Sequence, residues 1–256
     1  MAHLFIFIFG LAIGSFLNVV IFRLGKSKLI LFGRSKCPKC GKILNWRDLA
    51  PLVSFVWQKG RCHYCGKKIS WQYPIVEGTT GLLFLLIFSL DFAQSKNFIS
   101  LIYYLAIISF LIIIFVYDLK HYLIPDKIVY PAIIATFLFC LLGANPLNQI
   151  LSAFLAGAFF LSLVLLSKGE WMGLGDVKLA FLMGLFLGWP MILTALLLSF
   201  FSGAAVGMFL IVLGKKKMKS EIPFGPFLTG STILVFLFEP FFQSVFQNFI
   251  IGEFNL

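Results

Sequence analysis

The stretch FISLIYYLAIISFLIIIFVYD at residues 98–118 decides the fold class, because twenty uncharged and mostly apolar residues run without a break up to one acid. A helix that crosses a membrane needs about 20 residues of this kind. The whole chain shares this character: 60% of its 256 residues are apolar and 12% are charged. A soluble chain is roughly 45–50% apolar and about a quarter charged. The composition therefore excludes an ordinary cytosolic enzyme, a disordered chain and a disulfide scaffold, and it predicts an all-α polytopic membrane protein.

Outward from this stretch, further apolar runs predict about eight transmembrane helices. The predicted spans are about residues 4–22, 74–90, 98–117, 128–142, 150–167, 177–188 and 191–213, with a last one from residue 224 onward. A polar segment with four of the five cysteines separates the first span from the second. We therefore expect three parts: a first helix over residues 1–22, a small zinc-ribbon-like insert over 23–73, and a membrane domain of about seven helices over 74–256.

The 21 basic residues orient the predicted spans. If the N-terminus lies outside the cytoplasm, 20 of them fall on the cytoplasmic side and only Lys96 falls outside, as the positive-inside rule requires. The first four residues carry no Lys or Arg, so we expect the first apolar run to be retained as a span and not cleaved as a signal peptide. The stretch from Arg23 to Lys68 holds 12 of the basic residues and one acid, Asp48. In a polytopic protein this pattern favours attraction to an anionic lipid bilayer over nucleic-acid binding.

The insert contains two Cys-x-x-Cys pairs, Cys37 with Cys40 and Cys62 with Cys65, and a glycine follows each pair. Glycine permits the tight turn that aims two sulfurs at one metal ion, and four thiolates in this pattern suit tetrahedral zinc. Disulfides are one alternative, but the expected orientation puts the insert in the reducing cytoplasm. A redox-active pair is another, but two matched Cys-x-x-Cys pairs favour a closed structural site. The sequence therefore predicts a structural Zn²⁺ site. The fifth cysteine, Cys140, is expected to be an apolar core residue.

Two acids mark the edges of predicted spans. Asp118 ends the third span and Asp176 precedes the sixth, so the alternating topology places both carboxylates at the cytoplasmic end of the membrane domain. Two carboxylates in a low-dielectric site cannot both ionise easily, and they titrate as a pair that keeps one proton. Such a pair can activate water with its ionised member and protonate a carbonyl with the other, which predicts peptide hydrolysis. Two independent helix caps are the alternative.

Three further charged residues have structural interpretations. Asp126 follows Pro125 and precedes an apolar run, a pattern that predicts a helix N-cap. Lys178 is expected to be a positive anchor on the cytoplasmic side. Glu239 stands before Pro240 in the last apolar stretch, where we expect the proline to kink the helix.

Several motifs occur together in one order. They are GLAIGSFLNVVIFR at residues 10–23, YPIVEGTTG at 73–81, DLKHYLIPD at 118–126, GLGDVK at 173–178 and IPFGP at 222–226. With the two cysteine pairs, this set resembles the type IV prepilin peptidases, also called leader peptidase/N-methyltransferases, whose zinc insert is cytoplasmic. A GxGD motif alone is weakly specific, whereas the ordered set covers almost the whole chain.

This resemblance implies a GxGD-type membrane aspartic protease of the bacterial inner membrane that removes the basic leader of type IV prepilins and pseudopilins at the cytoplasmic face. It implies that Asp118 and Asp176 are the catalytic aspartates. In many members the same chain then methylates the new N-terminal amine with S-adenosylmethionine, although Gln72 stands where we would expect arginine. Glu77, the acid nearest the insert at a span entrance, is our candidate for attracting that cationic cofactor or orienting the amine. A first-turn acid that interacts with the helix dipole is the alternative. The sequence leaves the oligomeric state open.

Three other functions share some of these features. A presenilin-type GxGD intramembrane protease would account for Asp118 and Asp176 but not for the cysteine insert. A proton-coupled transporter would use buried carboxylates, but these acids lie near the membrane edge and the sequence has no visible inverted repeat. A membrane-anchored zinc-ribbon binding protein would leave both aspartate motifs unexplained. Cleavage of a leader-bearing pilin would separate the four hypotheses.

Overall fold

The computed structural model describes residues 1–25, 33–94, 97–143, 145–215 and 222–253. Within these ranges the chain forms ten α-helices and a short 3-10 helix at Trp46–Leu49. The α-helices are α1 Ala2–Leu24, α2 Val53–Trp57, α3 Gln72–Gln94, α4 Phe98–His121, α5 Asp126–Leu141, α6 Pro146–Leu166, α7 Leu174–Leu187, α8 Met191–Val212, α9 Gly225–Leu237 and α10 Glu239–Glu253. The predicted all-α fold is confirmed, and each predicted span corresponds to a helix, the last one to the α9–α10 pair.

Five of these helices, α1, α3, α4, α6 and α8, are long and apolar enough to cross a membrane. The bent pair α9 and α10 brings the number of candidate spans to six. This is fewer than the eight expected, because α5 has 16 residues and α7 has 14. At 1.5 Å per residue they rise about 24 and 21 Å, less than the roughly 30 Å of a hydrocarbon core.

The last apolar stretch bends by 85° between α9 and α10. The bend falls at Phe238, directly before Glu239 and Pro240, where a kink was predicted. Glu239 begins α10 and accepts a hydrogen bond from the side-chain amide of Gln243 at 2.8 Å. The acid therefore stabilises the first turn of the helix after the bend.

The chain divides into two compact units, Met1–Ile113 and Ile114–Leu256, and α4 runs through the boundary. In the N-terminal unit, α1 packs against α3 through two glycines one turn apart. A Cβ on Gly14 would lie 2.8 Å from the Cα of Glu77, and one on Gly10 would lie 2.8 Å from the Cα of Gly81. Only glycine allows so close an approach, which is the small-residue packing known from membrane helices.

In the C-terminal unit, α7 packs against four other helices, α5, α6, α8 and α9. Its residues from Leu179 to Phe186 are all buried except Phe181. A Cβ on Gly184 would lie 2.6 Å from the backbone nitrogen of Ala153, so α6 and α7 touch through their backbones there. This central position of α7 holds Asp176, in its first turn, among the ends of the neighbouring helices.

Candidate functional site

Asp118 lies in the last turn of α4 and its side chain is almost fully buried, with 4% of the residue exposed. Its Oδ2 accepts a hydrogen bond from the backbone N–H of Gly225 at 3.0 Å. Gly225 is the first residue of α9, where backbone N–H groups lack partners within the helix and carry partial positive charge. The buried carboxylate therefore has a specific partner for its negative charge.

Asp176 lies in the first turn of α7, and its Oδ2 accepts the backbone N–H of Gly173 at 3.2 Å. The residue is half-buried. The carboxylates of Asp118 and Asp176 are close enough for a direct electrostatic interaction. Asp176 thus caps its own helix, as the alternative interpretation allowed, yet it also lies within electrostatic range of Asp118.

The segments around the two aspartates are closely packed. A Cβ on Gly175 would lie 3.1 Å from the Cβ of Ile124, which belongs to the linker between α4 and α5. The ring of Phe224, just before α9, packs on Phe160 and Phe200 with centroids 6.3 and 5.2 Å away. The motifs at residues 118–126, 173–178 and 222–226 therefore meet within the C-terminal unit, and three phenylalanine rings cluster beside the last of them.

The prediction that Asp126 is an N-cap is wrong. The N-cap of α5 is Pro125, and Asp126 is the first helical residue. Its carboxylate forms an ion pair with Nζ of Lys178 at 2.6 Å, and that ammonium also lies 5.0 Å from the ring centre of Tyr130. The pair is partly exposed, so it contributes at most about 1 kcal/mol. It joins α5 to α7 beside the aspartates.

In the insert, the four sulfurs of Cys37, Cys40, Cys62 and Cys65 all lie within 4.8 Å of one another. All five cysteines of the chain are free thiols. The two pairs form matching turns, in which the carbonyl of the first cysteine accepts an N–H from the following glycine at 2.9 and 2.8 Å. Those glycines, at positions 41 and 66, have φ of +72° and +67°, a conformation that favours glycine.

The electrostatics of this cluster favour a cation. Burial opposes ionisation of Cys37, but hydrogen bonds from the backbone of Lys39 and Cys40 and from neighbouring sulfurs lower its pKa to about 7. The backbone of Lys67 favours the thiolate of Cys65, yet burial and the other three sulfurs raise its pKa to about 11. Ionisation of one thiol thus opposes ionisation of its neighbours, and a bound cation would relieve this repulsion. Tetrahedral zinc with bonds of about 2.3 Å places its sulfurs about 3.8 Å apart, which fits the cluster.

Glu77 is buried, with 6% exposed. Its Oε2 accepts the backbone N–H of Leu52 at 2.8 Å, and the hydroxyl of Ser15 also hydrogen-bonds to the carboxylate. The first-turn alternative for Glu77 is wrong, because α3 begins at Gln72 and its first turn contains no acid. The carboxylate instead joins the insert to α1 and α3.

Sequence reasoning missed Asn18, which is 1% exposed within α1. Its amide donates to the carbonyl of Tyr73 at 3.2 Å and accepts from the side chain of Gln72 at 3.0 Å. A polar residue inside an apolar span was the signal that could have identified it. Gln72, which departs from the expected arginine, is therefore a hydrogen-bonding partner in this buried polar group.

Comparison with known proteins matches both halves of the chain to family models. Residues 8–90 match the bacterial peptidase A24 N-terminal domain. Residues 105–208 match the type IV leader peptidase family. The first match contains the cysteine cluster and Glu77, and the second contains Asp118 and Asp176. A search of solved structures found no match.

Three relatives are each named prepilin leader peptidase/N-methyltransferase. The protein of Bacillus subtilis is 32% identical, over 96% of this chain and 98% of its own length. That of Aeromonas salmonicida is 33% identical, over 87% of this chain and 86% of its own length. That of Myxococcus xanthus is 34% identical over 81% of this chain, which spans 63% of that relative's length. By these matches, this chain belongs to the type IV leader peptidase family.

Proposed function

We propose that this chain is a prepilin leader peptidase that cleaves with Asp118 and Asp176, and that it also N-methylates the new N-terminus. The observation that carries the peptidase proposal is the meeting of two carboxylates from α4 and α7 within one unit of a leader peptidase family member. Each carboxylate accepts a backbone N–H, which positions it independently of the other. Ile124 and the ring of Phe224 pack beside the segments that carry the pair, and Asp118 is buried, a setting in which a shared proton is favoured.

The hydrolytic step follows from one proton shared by the pair. The ionised aspartate takes a proton from water as the water oxygen forms a bond to the scissile carbonyl carbon. The protonated aspartate gives its proton to the carbonyl oxygen, so a neutral gem-diol forms and the pair exchanges its acid and base roles. When the C–N bond breaks, the amine leaves with a proton from the aspartate that received one, and the other aspartate takes a proton from the diol. The pair is thereby restored.

The proposed substrates are prepilins and pseudopilins, held with the leader junction at the cytoplasmic end of the C-terminal unit. The charge distribution supports this orientation, since it places 20 of 21 basic residues on that side. The last turn of α4 with Asp118, the first turn of α7 with Asp176 and the start of α9 with Gly225 lie together. This arrangement agrees with the proposed topology if the short helices α5 and α7 also cross the membrane. The proposed location is the bacterial inner membrane, with the N-terminus outside, and the domain division at residues 22 and 73 is retained as part of this proposal.

For the insert we propose one structural Zn²⁺ held by Cys37, Cys40, Cys62 and Cys65. The chemistry of four converging sulfurs supports this assignment. The metal would supply folding energy, because the insert is too short to bury a full core of its own. It has no part in hydrolysis.

For methyl transfer we propose Glu77 as the acid at the site. It is the one buried acid among the described side chains of the N-terminal unit. Two hydrogen bonds leave its carboxylate with further acceptor capacity, since an ionised carboxylate has about four lone-pair sites. Its charge suits a sulfonium or an amine. S-adenosylmethionine, when bound, supplies the methyl group. Glu77, Ser15 and Leu52 would fix where the amine is held.

The experiment that tests the peptidase proposal uses the purified full chain in liposomes with a leader-bearing pilin. We expect mass spectrometry to show cleavage at the leader junction and no cleavage of ordinary transmembrane segments. Cleavage within unrelated transmembrane segments would favour the presenilin-type alternative. An intact pilin together with a proton flux across the vesicle membrane would favour the transporter.

A further inference from the structure

The insert exposes an apolar face that its polar sequence does not explain. In α2, Val53, Val56 and Trp57 are 60%, 74% and 84% exposed. Positions i, i+3 and i+4 of a helix share one side, so these three residues form one surface. Trp71, which is 69% exposed, lies next to α3. Contiguous apolar surface of this kind marks a site of interaction with a protein or a membrane.

The position of this face is set by two contacts with the start of α3. The N–H of Leu52, just before α2, donates to Glu77 in the second turn of α3 at 2.8 Å. The ring of Phe55, on the opposite side of α2 from Trp57, packs on Trp71 with centroids 5.1 Å apart. Since α3 is a candidate membrane span that begins at Gln72, α2 lies beside the end of a span, at the depth where the membrane meets water.

The charges around this face are those of an anionic-lipid binder. Five basic residues that lie near α2 and the second cysteine pair in sequence are exposed: Arg47, Lys59, Arg61, Lys67 and Lys68. The one acid, Asp48, accepts hydrogen bonds from Tyr64 at 3.1 Å and Gln58 at 3.3 Å. Tryptophan beside lysine and arginine is the composition that membrane interfaces favour. Each basic residue near an anionic surface adds about 1 kcal/mol of attraction.

We propose that α2 lies in the headgroup layer of the bilayer, with Val53, Val56 and Trp57 against the upper acyl chains and the basic residues among anionic phosphates. This surface, which we name the α2 face, consists of those three residues. The inference rests on α3 crossing the membrane and is independent of the proposed peptidase activity. The insert is then a membrane-bound module that holds the polar group around Glu77 at the bilayer surface.

Tryptophan fluorescence tests the proposal on the full chain in vesicles. Trp57 is kept as the only tryptophan by replacing Trp46, Trp71, Trp171 and Trp189 with Phe. We expect a blue-shifted emission, quenching by phospholipids brominated high on the acyl chain, and protection from acrylamide in water. Addition of phosphatidylglycerol to phosphatidylcholine vesicles should increase both effects, and added salt should reverse that increase. A red emission quenched by acrylamide and unaffected by brominated lipid would overturn the proposal and favour a protein partner for this surface.

If the variant with Trp57 as its only tryptophan does not fold, a second measurement still tests the proposal. The difference in lipid quenching between the unmodified chain and Trp57→Phe reports the same position. Val56→Asp should remove the lipid quenching of Trp57, whereas the matched variant Val56→Leu should keep it. Equal quenching in the Asp and Leu variants would show that Val56 does not contact lipid and would contradict the assigned face. The zinc content of both variants should stay unchanged.

Discussion

The backbone N–H of Gly225 donates a hydrogen bond to Oδ2 of Asp118 although 107 residues separate them. This contact joins the end of α4 to the beginning of α9. A helix N-terminus carries partial positive charge and unpaired N–H groups, so it is a suitable partner for a buried carboxylate. The position of Asp118 therefore depends on a residue that has no side chain.

We expect Gly225→Ala to reduce leader cleavage by about 10²-fold, the scale of a 1 Å misplacement of a reacting group. The new Cβ would lie 2.6 Å from Oδ2 of Asp118, so the carboxylate must move. Gly230→Ala is the matched control in the same helix, because its Cβ would meet only Phe115 at 3.7 Å. Initial rates of cleavage by the two variants decide the matter, and equal rates would contradict the positioning role.

Asp118→Asn and Asp176→Asn should each abolish leader cleavage without blocking membrane insertion. An amide can neither accept the proton of water as a carboxylate does nor return it, so the pair loses its shared proton. The measurement is accumulation of full-length prepilin in cells that express each variant. Normal cleavage of prepilin by Asp176→Asn would contradict the mechanism.

The control for this experiment is Asp126→Asn, a third acid at the same end of the C-terminal unit. It removes the ion pair with Lys178, which is partly exposed and therefore contributes little to stability. We expect most of the cleavage activity to remain. Loss of cleavage in this variant would mean that the ion pair positions α7 and would change the role assigned to Asp126.

We expect one zinc ion per chain, since the cluster of four sulfurs accounts for one tetrahedral site. Replacing Cys37 and Cys40 by Ser should release the metal and loosen the insert while the membrane helices persist. Cys140→Ser should retain zinc, because Cys140 is buried in α5, far along the chain from the cluster. Metal analysis of freshly reduced, unchelated protein checks this, and a metal-free wild-type chain would refute the assignment.

Glu77→Gln should lower methyl transfer and spare leader cleavage. The substitution keeps the shape of the side chain but removes the charge that accepts the N–H of Leu52. The assay supplies pre-cleaved pilin and labelled S-adenosylmethionine and measures label on the N-terminal residue. Asp176→Asn is the control, and it should still transfer label because the displacement does not need the aspartate pair. Full methylation by Glu77→Gln would remove Glu77 from the site.

Gly184→Ala should destabilise the C-terminal unit by about 1–3 kcal/mol, the usual cost of overpacking. The added Cβ would lie 2.6 Å from the backbone nitrogen of Ala153, and a backbone cannot move aside as a flexible side chain can. Gly157→Ala is the matched control, with its nearest neighbour, the ring of Phe181, at 3.4 Å. Thermal unfolding in detergent should separate the two variants. Identical melting temperatures would show that α6 and α7 adjust at this contact.

The helices were predictable because each one coincides with an apolar run in the sequence. The distribution of Lys and Arg predicted how these helices are oriented in the membrane. Whether each helix is long enough to cross was harder to foresee. The predicted sixth span, residues 177–188, has only 12 residues; α7 begins earlier, at Leu174, but it is still only 14 residues long. The glycine contact of α1 with α3 was also missed. The signal for it is the four-residue spacing of Gly10 and Gly14, which permits close packing of membrane helices.

Some contacts of the candidate site could also be predicted from the sequence, and others could not. Alternation of eight spans predicts Asp118 near Asp176, and the structure has an electrostatic interaction between the two acids, although α5 and α7 are shorter than a span. The pairing of Asp126 with Lys178 was not predictable, since it is a contact of side chains on two helices 52 residues apart. A local pattern such as Pro-Asp before an apolar run indicates a cap, but a lysine on a neighbouring helix competes for the same carboxylate.

The shortness of α7 bears on how water reaches the reaction. A helix of 14 residues rises about 21 Å, about 9 Å less than the hydrocarbon thickness of a bilayer. If α7 crosses the membrane, this hydrophobic mismatch must be relieved by local thinning of the lipid or by wetting of the helix ends. Asp176 lies at one of those ends. The mismatch would then hydrate the carboxylate pair from the membrane surface, so that the attacking water needs no dedicated channel through the protein.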